Sequence, residues 1–155
     1  MTSRTDARLK ELGLALPAAP APVANYVPFV ITGSLLFISG QVPLEGGKVR
    51  HVGTVGGALT LADGQDAARL CAINILAQAK SALNGDLDRI VRCVKLGGFV
   101  SCTPAFTDHP KVINAASDLM VAVLGDAGRH SRFAVGAPSL PLGAAVEIEA
   151  VFEIR

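Results

Sequence analysis

Tryptophan is missing from this chain of 155 residues, tyrosine occurs once, and aromatic residues make up 5% of the positions. That leaves little from which to assemble a base-stacking platform for single-stranded nucleic acid. Charge is equally sparse. Fourteen Lys and Arg face 13 Asp and Glu, the formal net charge is +1, and no Lys/Arg run occurs. An electrostatic footprint for nucleic acid is therefore not expected. No apolar stretch reaches the roughly 18 residues that a membrane-crossing helix needs. The strongest candidate, Phe29 to Ile38, is interrupted by Thr32-Gly33-Ser34. The first fifteen residues alternate charge and leucine and lack the unbroken apolar core of a secretory signal, while Asp6 and Glu11 speak against a transit peptide. Cys71, Cys93 and Cys102 are odd in number and lack metal-ligand spacing, so they read as reduced thiols of a cytoplasmic protein. Phosphate-binding loop, zinc pattern and nucleophile elbow are all absent, and Gly53, Gly56 and Gly57 lack the strand-to-helix context of a dinucleotide fingerprint. Neither a metal nor an organic cofactor is expected.

What is present is apolar. Half of the residues are hydrophobic and only 17% are charged, against an average near 25% for charge. So little charge does not comfortably cover a monomer, and part of the apolar surface is expected to meet another subunit. The length fits one domain over 1–155, with residues 1–22 as an appendage. In that appendage a short helix over 3–14, capped by Ser3 or Thr5, leads into an extended Pro17–Pro22 linker.

Beyond the linker, Tyr26–Thr32 and Leu35–Gln41 read as strands joined at Gly33-Ser34. Thr60 and Asp63 resemble a capping box, and apolar residues at helical spacing run from there to Leu83, where Asn84-Gly85 stops the helix. Residues 89–102 read as a central strand with a bulge at Gly97-Gly98. A second helix starts at Thr107 or Asp108, carries Pro110 in its first turn and ends before Gly125. Strands over 131–137 and 145–154, joined by a Pro/Gly turn, close the chain. The order ββ–α–β–α–ββ describes an α+β fold whose two helices cover one face of a mixed sheet. The other face, with Val151 and Phe37, must then meet something; a homo-oligomer with clefts between subunits is the economical answer.

The chemistry-bearing pattern lies in the last strands. Arg132 opens one of them and Glu147 follows fifteen residues later. A guanidinium fits a carboxylate bidentately, and a nearby glutamate can hold a water. On the local pattern alone, the plainer reading of Arg132 and Glu147 is a solvated ion pair of little worth.

Asn25-Tyr26-Val27-Pro28, the run Thr32 to Pro43, Gly98-Phe99-Val100 and Lys111-Val112-Ile113-Asn114 together resemble the RidA/YjgF family. The resemblance extends from about residue 8 to the C-terminus. His130-Ser131-Arg132 and Leu140-Pro141-Leu142-Gly143 through Val146 to Ala150 look like one branch of it. The resemblance implies a chorismate-mutase-like α+β fold, a homotrimer with a barrel-like centre, and a pocket in each inter-subunit cleft. It also implies hydrolysis of reactive 2-imino or 2-enamino acids to 2-oxo acids and ammonia. By it, Arg132 pairs the substrate carboxylate and Glu147 holds and partly deprotonates the attacking water. Tyr26 closes the pocket from the adjoining subunit, Ser39 and Gly40 line its floor, and Asn114 holds a neighbouring loop. Ala134 stands where many imine-hydrolysing members carry a cysteine, so that thiol takes no part here; backbone groups near Arg132 are left to orient the imine nitrogen. His130 is a further titratable group, either a structural histidine or a proton donor to departing ammonia. A competing reading keeps the small carboxylate ligand but not the turnover, making the protein a sensor of 2-oxo or amino acids. Ribonuclease or translation-inhibitor activity, which older family names suggest, finds no support in the charge balance.

Overall fold

Gly33 adopts φ 56°, a left-handed conformation that glycine reaches without strain, and the chain reverses there. Phe29–Thr32 (β1) consequently pairs antiparallel with Leu35–Gln41 (β2), Thr32 opposite Leu35. The structure is a computed structural model and describes residues 3–21 and 25–155. Met1, Thr2 and Pro22 of the expected appendage lie outside the described residues.

Within the appendage, Arg4–Glu11 (α1) is capped by Ser3, whose hydroxyl accepts from the Asp6 amide. Next in the chain, Leu44–Glu45 (β3) and Lys48–Val49 (β4) form a small antiparallel ribbon around Gly46-Gly47. Leu61–Ala82 (α2) begins with the capping box foreseen at Thr60 and Asp63, both reciprocal bonds being present. Ile90–Ser101 (β5), His109–Leu124 (α3), Ser131–Ala137 (β6) and Val146–Ile154 (β7) follow. Asp108 precedes α3 but its side chain makes no capping bond.

The main sheet has the order β1-β2-β7-β5-β6. Only β5 and β6 run parallel, so the sheet is mixed. Two expectations change here. The centre of the sheet is β7, not the strand over 89–102. The last two strands are not a hairpin either, because β5 lies between them and the segment 138–145 crosses over it. A Pro/Gly turn specifies where a chain bends but not which strand it returns to.

Both long helices lie on the same face of the sheet. Ala68, Cys71, Ala72 and Ile75 of α2, with Ile113, Ala116 and Met120 of α3, pack against Leu36, Leu96, Ile148 and Phe152 in one hydrophobic cluster. The opposite face is uncovered: Val30, Phe37, Phe99 and Val135 are 38–49% exposed there, set among Lys95, Glu147, Glu149 and Glu153.

The expected bulge at Gly97-Gly98 is absent. Both glycines sit in regular register, opposite Glu149 and Ile148, and the irregularities of β5 fall earlier, at Ile90/Arg92 and Cys93/Lys95. The glycines serve close approach instead. A Cβ on Gly97 would come within 2.6 Å of the Phe133 ring, and one on Gly98 within 2.7 Å of Ile113 from the helix side.

The first turn of α1 is tied down by the Asp88 carboxylate, while Asp6 pairs with Lys80 of α2 at 2.8 Å and Leu9 is buried in the core. Asp88 accepts from the amides of Arg4 (2.8 Å) and Thr5 (2.9 Å) and from the Thr5 hydroxyl (2.6 Å). The Thr5 hydroxyl, followed by these amides, holds the Asp88 carboxyl below its ordinary value. A depressed folded-state value means that the contribution is complete above the unfolded carboxylate range and is lost as pH falls through the folded one.

Two outcomes are expected. Gly98→Ala should cost about 1–3 kcal/mol of stability by overpacking, measured by urea denaturation, with partial recovery on adding Ile113→Ala. Asp88→Asn should raise amide exchange over residues 4–12 by about three- to tenfold while leaving exchange in β5 and β7 unchanged. Wild-type protein taken below the carboxylate range should show the same selective loosening of α1.

Candidate functional site

Side chains alternate along β6, and the two sets have different surroundings. Arg132, Ala134 and Gly136 face α3. Ala134 pairs with Gly98, beneath Ile113, and a Cβ on Gly136 would meet His109 and Cys102. Phe133 and Val135 point to the uncovered face. There the Phe133 ring meets Phe99 edge-on, with centroids 5.3 Å apart, and Lys95 Nζ lies 5.3 Å over it.

Arg132 is half-buried against α3. Its Nη1 donates to Asn114 Oδ1 at 2.8 Å and to Ser117 Oγ at 3.1 Å. His130 closes the group. Its Nδ1 lies 2.6 Å from the carbonyl of Gly128, and its Nε2 lies 2.9 Å from Ser117 Oγ. A carbonyl only accepts, so Nδ1 carries a proton; in the tautomer with that proton alone, Nε2 accepts the Ser117 hydroxyl hydrogen. The Ser117 oxygen then turns its lone pairs to Arg132. Every partner of the guanidinium is thus neutral, and among the described residues no carboxylate pairs with it. Ser117 escaped the sequence reading. Its only signal is its spacing three residues after Asn114, which puts both on one helix face.

Glu147 belongs to the other face. It alternates with buried Val146 and Ile148 on β7 and pairs with Phe99 of β5. Its carboxyl lies over Gly40, where a Cβ would collide with it. Gly40 falls at a register shift between Ile38 and Gln41, where three residues of β2 span two of β7. This is a bulge that the sequence reading did not foresee. Burial pushes the Glu147 carboxyl above its ordinary value, and the nearby charge of Glu149 adds to the effect.

Ser39 donates its hydroxyl to the Val27 carbonyl at 2.8 Å, and its amide donates to Pro28. It therefore anchors the segment that carries Tyr26. Tyr26 lies in a bend before β1 rather than in a strand, and it is 51% exposed.

The predicted residues thus form two groups on opposite sides of the sheet. Arg132 and Ala134 stand with Asn114 and His130 beside α3. Glu147 stands with Gly40 on the uncovered face, near the end of β2 that also bears Ser39. The expectation that Arg132 and Glu147 stand side by side fails for one chain, and so does their reading as a solvated ion pair. β5 separates their strands, and their alternation is opposed.

The sign of the Glu147 shift has a measurable consequence. An acid whose folded value is raised costs stability above that value, and the cost disappears as pH falls through it. Glu147→Gln should therefore stabilise the protein at neutral pH, by about 0.5 kcal/mol or less given solvent screening. The gain should vanish in mildly acidic solution, as read from urea midpoints across pH.

A family model described as "YjgF/chorismate_mutase-like, putative endoribonuclease" matches residues 6–153. The chain is 47% identical to Protein TCP17 of Trypanosoma cruzi over 155 residues, covering 99% of this chain and 96% of that protein. Among solved structures it is similar to Atu1372 of Agrobacterium tumefaciens, whose function is given as unknown. That match has TM-score 0.92 and 55% identity and covers 97% of this chain and 92% of that one. A chain from Shewanella oneidensis described as a "putative endoribonuclease" superposes with TM-score 0.94 at 37% identity, covering 99% and 100%.

Proposed function

The chain belongs to the YjgF/chorismate-mutase-like family, and from that premise we propose that it hydrolyses reactive 2-imino and 2-enamino acids to 2-oxo acids and ammonia. The observation that carries this reading is Arg132, a guanidinium oriented by Asn114 and Ser117 yet neutralised by neither. A small carboxylate arriving there meets a cation already aimed, and the charge-assisted pair contributes about 1.5–3 kcal/mol.

Water activation falls to Glu147. Burial has moved its carboxyl toward the range where a base works at neutral pH. In the proposed reaction a water oxygen adds to the imine carbon while Glu147 takes its proton. Glu147 returns that proton to the nitrogen to give the carbinolamine; on collapse the hydroxyl proton passes by way of Glu147 to the same nitrogen, the C=O bond forms, the C–N bond breaks and ammonia departs. Because the two residues occupy opposite faces of one sheet, the reading requires Arg132 of one copy and Glu147 of a neighbour. The exposed apolar side chains of the uncovered face support a homotrimer with sites in its clefts. Tyr26 would close such a cleft, and Ser39 and Gly40 would line its floor. Imine hydrolysis needs only positioning and a base, so the proposal includes no cofactor. Among the described residues no helix is long and apolar enough to cross a membrane, and the protein is proposed to act in the cytoplasm.

Ala134 favours one alternative. Without a thiol there, the same cleft could bind 2-oxo or amino acids without turning them over. The two readings part in one assay, in which an amino-acid oxidase generates the imine and its decay is followed with purified protein. Wild type should accelerate decay. Arg132→Ala should lower kcat/KM by about 10- to 100-fold. Glu147→Ala should abolish turnover and leave 2-oxo acid affinity within about twofold. If wild type leaves spontaneous decay unchanged while still binding 2-oxo acids, the sensor reading replaces the hydrolase.

A further inference from the structure

A second reactive arrangement lies at the far end of β6 from Arg132. Cys102 follows β5, and its Sγ stands 3.3 Å from Nε2 of His109, the first residue of α3. The Phe106 ring meets the imidazole edge-on, with centroids 5.5 Å apart at 88°, and so fixes its plane. Gly136 makes room for the pair. A Cβ there would come within 2.7 Å of His109 Nε2 and 2.8 Å of Cys102 Sγ. Both side chains line a pocket of about 600 Å³ whose other walls include Thr54, Thr103, Phe106, Thr107 and Pro138. Apart from Cys102 and His109, the wall is apolar or hydroxyl-bearing and carries no charged side chain.

We propose that this pocket is a nucleophilic site in which Cys102, with His109 as its base, adds reversibly to small uncharged α,β-unsaturated carbonyl compounds. The thiol is the right nucleophile because a soft sulfur attacks the β-carbon of such a system. The absence of charge in the wall selects against carboxylates. The balance closes without a further reagent. His109 Nε2 takes the thiol proton, a bond forms between Sγ and the β-carbon, and the C=C pair moves through the α-carbon onto oxygen as an enolate. The imidazolium then returns its proton to the α-carbon. Nothing leaves and nothing is oxidised, and the reverse steps release the compound. Thr103 and Thr107 are hydroxyl donors for the carbonyl oxygen.

At rest, burial holds the Cys102 thiol above its ordinary value, so it stays protonated until His109 acts. The N-terminal end of α3 carries partial positive charge that favours the thiolate once formed. Cys71 and Cys93 are buried and have no such access.

The test is to treat the full-length protein with 2-hexenal and locate and time the adduct by peptide mass spectrometry. Wild type should acquire one adduct, on Cys102, at a rate about 100-fold above that of a cysteine-bearing peptide. His109→Gln should bring the rate down to the peptide's. Gly136→Ala, whose methyl would press on both groups, should lower the rate at least about tenfold and provides a second variant if His109→Gln does not fold. Fumarate, which carries two carboxylates, should react no faster than with the peptide. Labelling of Cys102 at the peptide's rate, labelling unaffected by either variant, or fumarate reacting as fast as 2-hexenal would each overturn the proposal. Cys102→Ser should abolish the adduct and leave imine decay as in wild type, so failure here and failure of the hydrolase reading remain separable.

Discussion

Two adjacent glycines in β5 set the geometry on which the rest depends. Gly98 lets Ile113 rest directly on the strand, which fixes the height and rotation of α3 above the sheet. Helical spacing does the rest. One turn toward the N-terminus, His109 reaches Cys102; one residue and one turn toward the C-terminus, Asn114 and Ser117 reach Arg132. Gly97 performs the matching service on the other face, where the Phe133 ring of β6 closes on the strand. A side chain at either position would lift α3 or β6, and the polar groups they carry would move together. Interiors are packed too closely to absorb such a shift locally.

Much of the local structure was legible because its signals act over a few residues. Ser3, the Thr60–Asp63 capping box, Gly33 and Gly125 each specify a local backbone event, and each occurs where expected. The strand order was not legible. Nothing near residues 138–145 reports that β5 will separate β6 from β7, since that choice is made by burial across the whole sheet. Gly97-Gly98 was misread because a bulge and a close approach call for the same residue, and only the neighbours decide between them. The true bulge at Ser39-Gly40 has one glycine and an ordinary strand pattern around it. For the candidate site, family resemblance pointed to Arg132 and Glu147, while their separation onto two faces followed from the unseen topology.

That separation gives the uncovered face its significance. Val30, Phe37, Phe99 and Val135 form an apolar surface around Glu147 that a lone chain leaves in water. Such surfaces mark contact sites. Under the proposed function, the same event that buries this face would bring a glutamate of one copy toward an arginine of the next. Burial of apolar area and completion of the chemistry would then be a single step, with no active form of the isolated chain.

Arg132 itself has one more consequence. Asn114 and Ser117 aim the guanidinium but leave its full positive charge facing any mobile counter-ion. Under the proposed function, chloride, phosphate and other solutes of the medium would compete for that place alongside the substrate carboxylate. Half-buried, the arginine is still within reach of solution, where the Debye length is about 8 Å at physiological ionic strength. On that reading, apparent affinity would be a joint property of the protein and of the anions dissolved around it, and the surrounding pool of small acids would set how much of the site is vacant.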